Sequence, residues 1–139
     1  MTSSPLDNLV RIGKLKAEPP AQAELVRSGL VRLRDAENAA LSLESRFDLA
    51  YNAAHALSLA ALRWHGYRSE NRYLVFQSLT HTLTLDAAQW RVLDQAHNKR
   101  NLAEYEGDLD VDDALVEALI RTAQTVAERV AALGPVAQG

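Results

Sequence analysis

From Leu43 to His65 the chain places apolar side chains on nearly every face of one helix: Phe47, Leu49, Ala50, Tyr51, Ala53, Ala54, Ala56, Leu57, Leu59, Ala60, Ala61 and Leu62. A helix that is apolar all round is stable only when neighbours cover it on several sides. The segment therefore predicts a central helix, buried within a larger set of helices. Its alanines let neighbours approach closely, so Ala53, Ala56 and Ala60 are expected to tolerate little enlargement. Gly66, just after the last turn, suits a left-handed cap.

The flanking segments repeat at three to four residues, and none alternates over a strand length. Pro5 after Ser4 marks a short first helix with Leu6, Val10 and Ile12 on its apolar side, loosening at Gly13. Pro19 and Pro20 open a second, in which Ala23, Leu25, Leu30, Leu33 and Ala36 recur as far as about Asn38, with Arg27, Arg32, Arg34 and Asp35 on the wet side. After the basic turn Gly66-Tyr67-Arg68, Ser69 precedes a short helix carrying Tyr73, Phe76, Leu79 and Thr80. Asp86 caps a longer helix that ends near Tyr105, before Gly107. Asp110, Asp112 and Asp113 supply negative charge at the start of a last helix with Leu115, Leu119, Ala123, Val126 and Val130, ending near Gly134. The expected fold is all-α: an antiparallel four-helix bundle with a short extra N-terminal helix, in a single domain over 1–139 with its core at about 20–133.

Fifteen basic and 18 acidic residues leave a formal net charge of -3, which argues against retention on nucleic acid by bulk electrostatics alone. Local basic clusters are a separate matter, and Arg63, His65, Tyr67, Arg68 and Arg72 form one that is partly aromatic. There is no cysteine, which removes disulfides, thiolate metal sites and a cysteine nucleophile together. His55, His65, His81 and His97 are too scattered for a local zinc motif, and no glycine-rich phosphate loop occurs, so neither a metal nor a cofactor is expected. No apolar run reaches the roughly 20 residues that span a bilayer, and Met1-Thr2-Ser3-Ser4-Pro5 lacks the pattern of a signal peptide. The expectation is a cytoplasmic protein without membrane contact.

The helix after Asp86 begins with an apolar stripe set by Trp90 and Leu93, then turns the same stripe polar at His97, Arg100, Asn101 and Glu104. Charge on a core-facing stripe is costly unless it has partners or a task. His97, Asn101 and Tyr105 follow one another at i to i+4 spacing, which directs three polar side chains toward one patch. An arginine fork pairs well with phosphate, and imidazole or carboxylate moves protons, so an anionic-substrate site is one reading. The plainer one pairs Arg100 with Glu104 along the helix and leaves His97 and Asn101 at the rim of the core. His55, among alanines and leucines, reads as structural or as support for the site. Arg46 and Asp48 open the central helix, where Arg46 either faces the cleft or pairs with Glu44 or Asp48.

Two segments carry a family resemblance. Arg46-Phe47-Asp48-Leu49-Ala50-Tyr51-Asn52-Ala53-Ala54-His55-Ala56-Leu57, running on to Leu62-Arg63-Trp64-His65-Gly66-Tyr67-Arg68, is similar to the alanine-rich second core helix and glycine turn of the HEPN superfamily, and Arg100-Asn101-Leu102-Ala103-Glu104-Tyr105 resembles its motif region. The likeness covers about Leu43 to Val130. It implies a small antiparallel helical bundle of prokaryotic toxin-antitoxin or defence systems. In catalytic members an arginine, usually followed by a polar residue, stands four to six residues from a histidine, and the pair implies metal-independent RNA cleavage at a homodimer interface. Arg100 matches the arginine and Asn101 the polar neighbour. Tyr105 stands where histidine is usual, and no histidine follows it. A related branch pairs with minimal nucleotidyltransferases, which the resemblance adds as a partner class.

The leading expectation is therefore a HEPN-like protein that binds RNA or a nucleotide, with weak or lost ribonuclease activity. Its site would use Arg100, Asn101, Tyr105 and His97, with Arg46, Glu104 and Arg68 contacting the ligand. An active endoribonuclease, with Arg100 on the phosphorane and His97 or Tyr105 in acid-base roles, is the alternative. A helical protein-interaction module is the third.

Overall fold

In the computed structural model, which describes residues 5–136, the chain runs α1 (Pro5–Arg11), β1 (Lys16–Ala17), α2 (Ala23–Ala36), α3 (Leu43–Trp64), β2 (Tyr67–Arg68), α4 (Arg72–Gln77), α5 (Leu79–Thr82), α6 (Ala87–Glu106) and α7 (Asp113–Ala132). About 70% of it is helical, in keeping with an all-α class. No helix among the described residues is long and apolar enough to cross a membrane. Met1-Thr2-Ser3-Ser4, read above for a leader and for the residue before the first helix, lies outside the described residues.

The central helix is α3. Ser42 caps its start by accepting the Ser45 N–H at 3.1 Å, and at its end Gly66 takes φ +89°, a conformation that costs other residues strain. Ala50, Ala53, Ala54, Ala60 and Ala61 are fully buried, as are Phe47, Tyr51, Leu57 and Leu62. The closest neighbour is α2, which crosses α3 at Gly29. A Cβ on Gly29 would stand 2.7 Å from the Leu57 Cγ, so only glycine fits there without repacking. Helix α7 packs on α3 through Val116, Leu119, Ala123, Val126 and Val130, and α6 joins through Leu93 and Ala96. A second, smaller apolar cluster of Leu6, Leu15, Leu62 and Val75 ties α1 to the far end of α3.

Several local expectations change in the structure. Pro19 and Pro20 precede rather than open the second helix, which begins at Ala23. Leu30 is 46% exposed and Ile12 65%, although both lie on an apolar period. Asn71, not Ser69, caps the short helix, accepting the Leu74 N–H at 3.0 Å. That helix is also broken into α4 and α5 at Ser78. A two-residue antiparallel ladder, Lys16 opposite Arg68 and Ala17 opposite Tyr67, joins the segment after α1 to the turn after α3. Two residues are too few to show an alternation. The Gly134 carbonyl accepts from both Gln22 Nε2 and Trp64 Nε1 at 3.1 Å, fastening the end of α7 to α3 and to the start of α2.

Candidate functional site

The start of α6 is held by a reciprocal cap in which the Asp86 carboxylate accepts the Gln89 N–H and the Gln89 side chain accepts the Asp86 N–H. That fixes the rotation of the helix, so that burial of Leu93 and Ala96 turns His97, one turn on, toward α3. There it meets Tyr51, whose ring is fully buried. Buried tyrosine hydroxyls take a partner, and here it is His97 Nδ1 at 3.0 Å. His97 Nε2 lies 3.1 Å from the exposed Asn101 amide nitrogen.

The chain Tyr51–His97–Asn101 constrains the imidazole. With the Asn101 amide donating, Nε2 is the acceptor and Nδ1–H donates to the tyrosine oxygen; with the amide turned over, both directions reverse. With the amide donating, Nε2 has no proton and the imidazole is neutral. Burial pushes the His97 pKa below its ordinary value; Asp94 opposes this, Arg100 and Arg72 add to it, and Glu104 opposes. A polar path thus runs from the buried phenol to an exposed amide, with a titratable ring between them.

Two guanidinium groups approach the same tyrosine. Arg100 of α6 lies over the Tyr51 ring at 4.8 Å from its centroid, and Arg72 of α4 at 5.7 Å. Arg72 also donates to the Asn52 side-chain oxygen at 3.2 Å, a neutral partner supplied by the residue after Tyr51. Arg100 has Glu104 one turn on at 4.0 Å, the outer limit of an ion pair. Tyr73 and Phe76 of α4 place their rings 5.0 and 6.3 Å from that of His97. The Tyr73 phenol is pushed up in pKa by its hydrogen bond to Asp94. His55, on α3 one turn after Tyr51, packs edge-on against Phe76, and its Nε2 is buried without a partner. Burial, then Arg72 and Arg100, lower its pKa to about 4.

The structure brings His97, Arg100 and Asn101 together, with Glu104 at the rim. Tyr105 is 95% exposed, and no hydrogen bond, ion pair or ring contact joins it to the cluster. Arg46 donates to the Ala36 carbonyl at 2.9 Å and to Glu117 at 3.1 Å, a tie among α2, α3 and α7, and not to Glu44 or Asp48. Arg68 pairs with Glu18 at 3.2 Å and Glu70 at 3.9 Å on the two-stranded ladder. Tyr51 and Asn52 were not legible as site residues, because an aromatic on the buried helix reads as core; the phenol's need for a partner was the available signal. Of the acidic run, Asp112 caps α7 and Asp110 pairs with Lys99 at 3.7 Å. Among the described residues no three histidine, aspartate or glutamate side chains are grouped as metal ligands.

Comparison with protein-family models, curated proteins and solved structures returns no match.

Proposed function

We propose that the chain is a HEPN-like helical protein that binds RNA or a nucleotide through phosphate at the Arg100 face, with weak or lost ribonuclease activity. In this reading α2, α3, α6 and α7 are the four core helices and α1 is the addition. The observation that carries it is the convergence of Arg100, His97 and Asn101 on buried Tyr51: a fork donor for phosphate beside a neutral imidazole, held by a core side chain. Tyr105, in the position where the resemblance expects histidine, stands in solvent and supports reduced chemistry. The homodimer rests on the resemblance: exposed Leu102, two residues from Arg100, lies with Gln95, Asn98 and Lys99 on the side of α6 toward α7 and not on this face. A minimal nucleotidyltransferase partner rests on the resemblance alone.

The test compares wild type with Arg100→Ala for binding to labelled RNA and to nucleotides, with thermal melts alongside. A long, half-exposed i to i+4 ion pair contributes about 0 to 1 kcal/mol and the contact with the Tyr51 ring about 1 kcal/mol, so the loss of stability should stay small while binding weakens tenfold or more. A large loss of stability with unchanged binding would return Arg100 to a purely structural role. Tyr105→His should raise RNA cleavage, since general acid-base help typically contributes about 10² to 10⁴-fold. If wild type already cleaves and Tyr105→His adds nothing, His97 carries the chemistry and the protein is the active endoribonuclease.

A different surface favours the interaction-module reading. An open groove of about 1420 Å³, walled by Pro19, Pro20, Leu25, Leu30 and Val136, is largely apolar and has Arg63 and Arg27 at its edge.

A further inference from the structure

Arg72 lies outside the Arg100–Asn101 segment, and its surroundings differ from those of Arg46 and Arg63, each of which has a carboxylate partner. Arg46 is neutralised by Glu117, Arg63 by Glu18 at 3.3 Å, and Arg129 donates to the carbonyls of Leu83 and Thr84. Arg72 has no carboxylate partner among the described residues; its hydrogen bond goes to the neutral Asn52 amide. Because Arg72 and Arg100 lie 5.7 and 4.8 Å from one ring centroid, their separation cannot exceed those two distances combined. Both positive charges also act on the His55 and His97 rings, so an anion entering this corner would be attracted by the two together. His55 adds a third feature on the same side of α4: a neutral imidazole near both arginines whose Nε2 is buried without a partner. A buried polar atom left unsatisfied is destabilising, so an unmet hydrogen-bonding group stands beside the two arginines.

We infer that Arg72 is a phosphate-binding residue equal in weight to Arg100, the two guanidiniums taking one phosphate ester between them beside His55. This rests on the phosphate reading of the Arg100 face and extends it to a helix that carries none of the motif. The phosphate belongs either to a free nucleotide or to an RNA backbone, and both present the same oxygens.

Binding of ADP and of a fluorescein-labelled oligouridylate with a 5′-hydroxyl end, which offers internal diesters only, separates the two sources. Both are measured with wild type, Arg72→Gln, Arg100→Gln and Arg72→Lys, and folding of each variant is checked by circular dichroism. Both glutamine variants should bind at least tenfold more weakly. For the oligonucleotide, Arg72→Gln should also lower the slope of log affinity against log salt by about one charge. Arg72→Lys keeps the charge without the fork, and should recover binding only in part; it is the deciding variant if Arg72→Gln does not fold. In nitrogen-15 histidine spectra of the wild type, the His55 resonances should move as whichever probe binds is added. If Arg100→Gln abolishes binding while Arg72→Gln and Arg72→Lys bind like wild type, the role of Arg72 is overturned and the phosphate reading stands. If wild type binds neither probe, both fall.

Discussion

At the scale of single residues, His55 and His97 show how burial beside fixed positive charge disfavours the charged imidazolium. His55 titrates near 4 when folded and near 6.5 when unfolded, so between those values the unfolded chain holds the extra proton. Its contribution to stability is therefore complete above about pH 6.5, is lost as the pH falls toward 4, and changes no further below that. The shift corresponds to about 3 kcal/mol across the window. Urea melts between pH 7 and 4 should show this decline, and His55→Leu should flatten it relative to wild type. Equal slopes for the two proteins would mean that His55 is not the titrating group. His97 shifts in the same direction and remains in both proteins, so their difference isolates His55. At this scale the sequence was informative about types more than partners. Arg100, Asn101 and His97 were legible from the polar turn in an apolar stripe. The Tyr51 hydroxyl that organises them, and Arg72 opposite, come from other helices and share no local pattern with it.

At the scale of elements, the contact between α2 and α3 is the tightest constraint on the sequence. Gly29→Ala would gain about 1 kcal/mol of intrinsic helix propensity, but its methyl group would enter the space of the buried Leu57 Cγ and Cδ2, at 2.7 and 2.9 Å. Overpacking costs roughly 1 to 3 kcal/mol, so net destabilisation of about 1 kcal/mol is expected, with Leu57→Ala in the same chain returning part of it. Denaturant melts of the single and double variants measure the coupling. A stabilised Gly29→Ala would mean that the two helices have room to part. Nothing in the sequence around Gly29 announced this crossing. The alanines of α3 did announce close approach, because small side chains on every face leave neighbours nowhere else to pack.

At the scale of the whole molecule, two apolar clusters divide the chain unequally. The larger spans α2 to α7, whereas the smaller holds α1 to α3 and α4 through Leu6, Leu15, Leu62 and Val75. Apolar burial sets how costly local opening is, so amides of α1 should exchange with deuterated water well before those in the middle of α3. Exchange of the two at a common slow rate would show that α1 opens only with the rest of the chain. The ladder between β1 and β2 should follow α1, since it is two residues long and its burial is slight.

By itself the sequence determined the helical class, the central place of the helix from Leu43 to about His65, and the helix ends at Asp86 and Gly107, because periodicity and capping are local properties of a chain. It also marked the turn of α6 where polar groups enter a buried stripe. The tertiary structure alone decided which of them meet: His97 found Tyr51, Arg100 and Arg72 came to one ring, Arg46 went to Glu117, and Tyr105 was left in solvent. Those outcomes depend on the rotation and crossing of helices far apart in the chain. That geometry is set by packing at contacts such as Gly29 on Leu57, which no segment carries within itself.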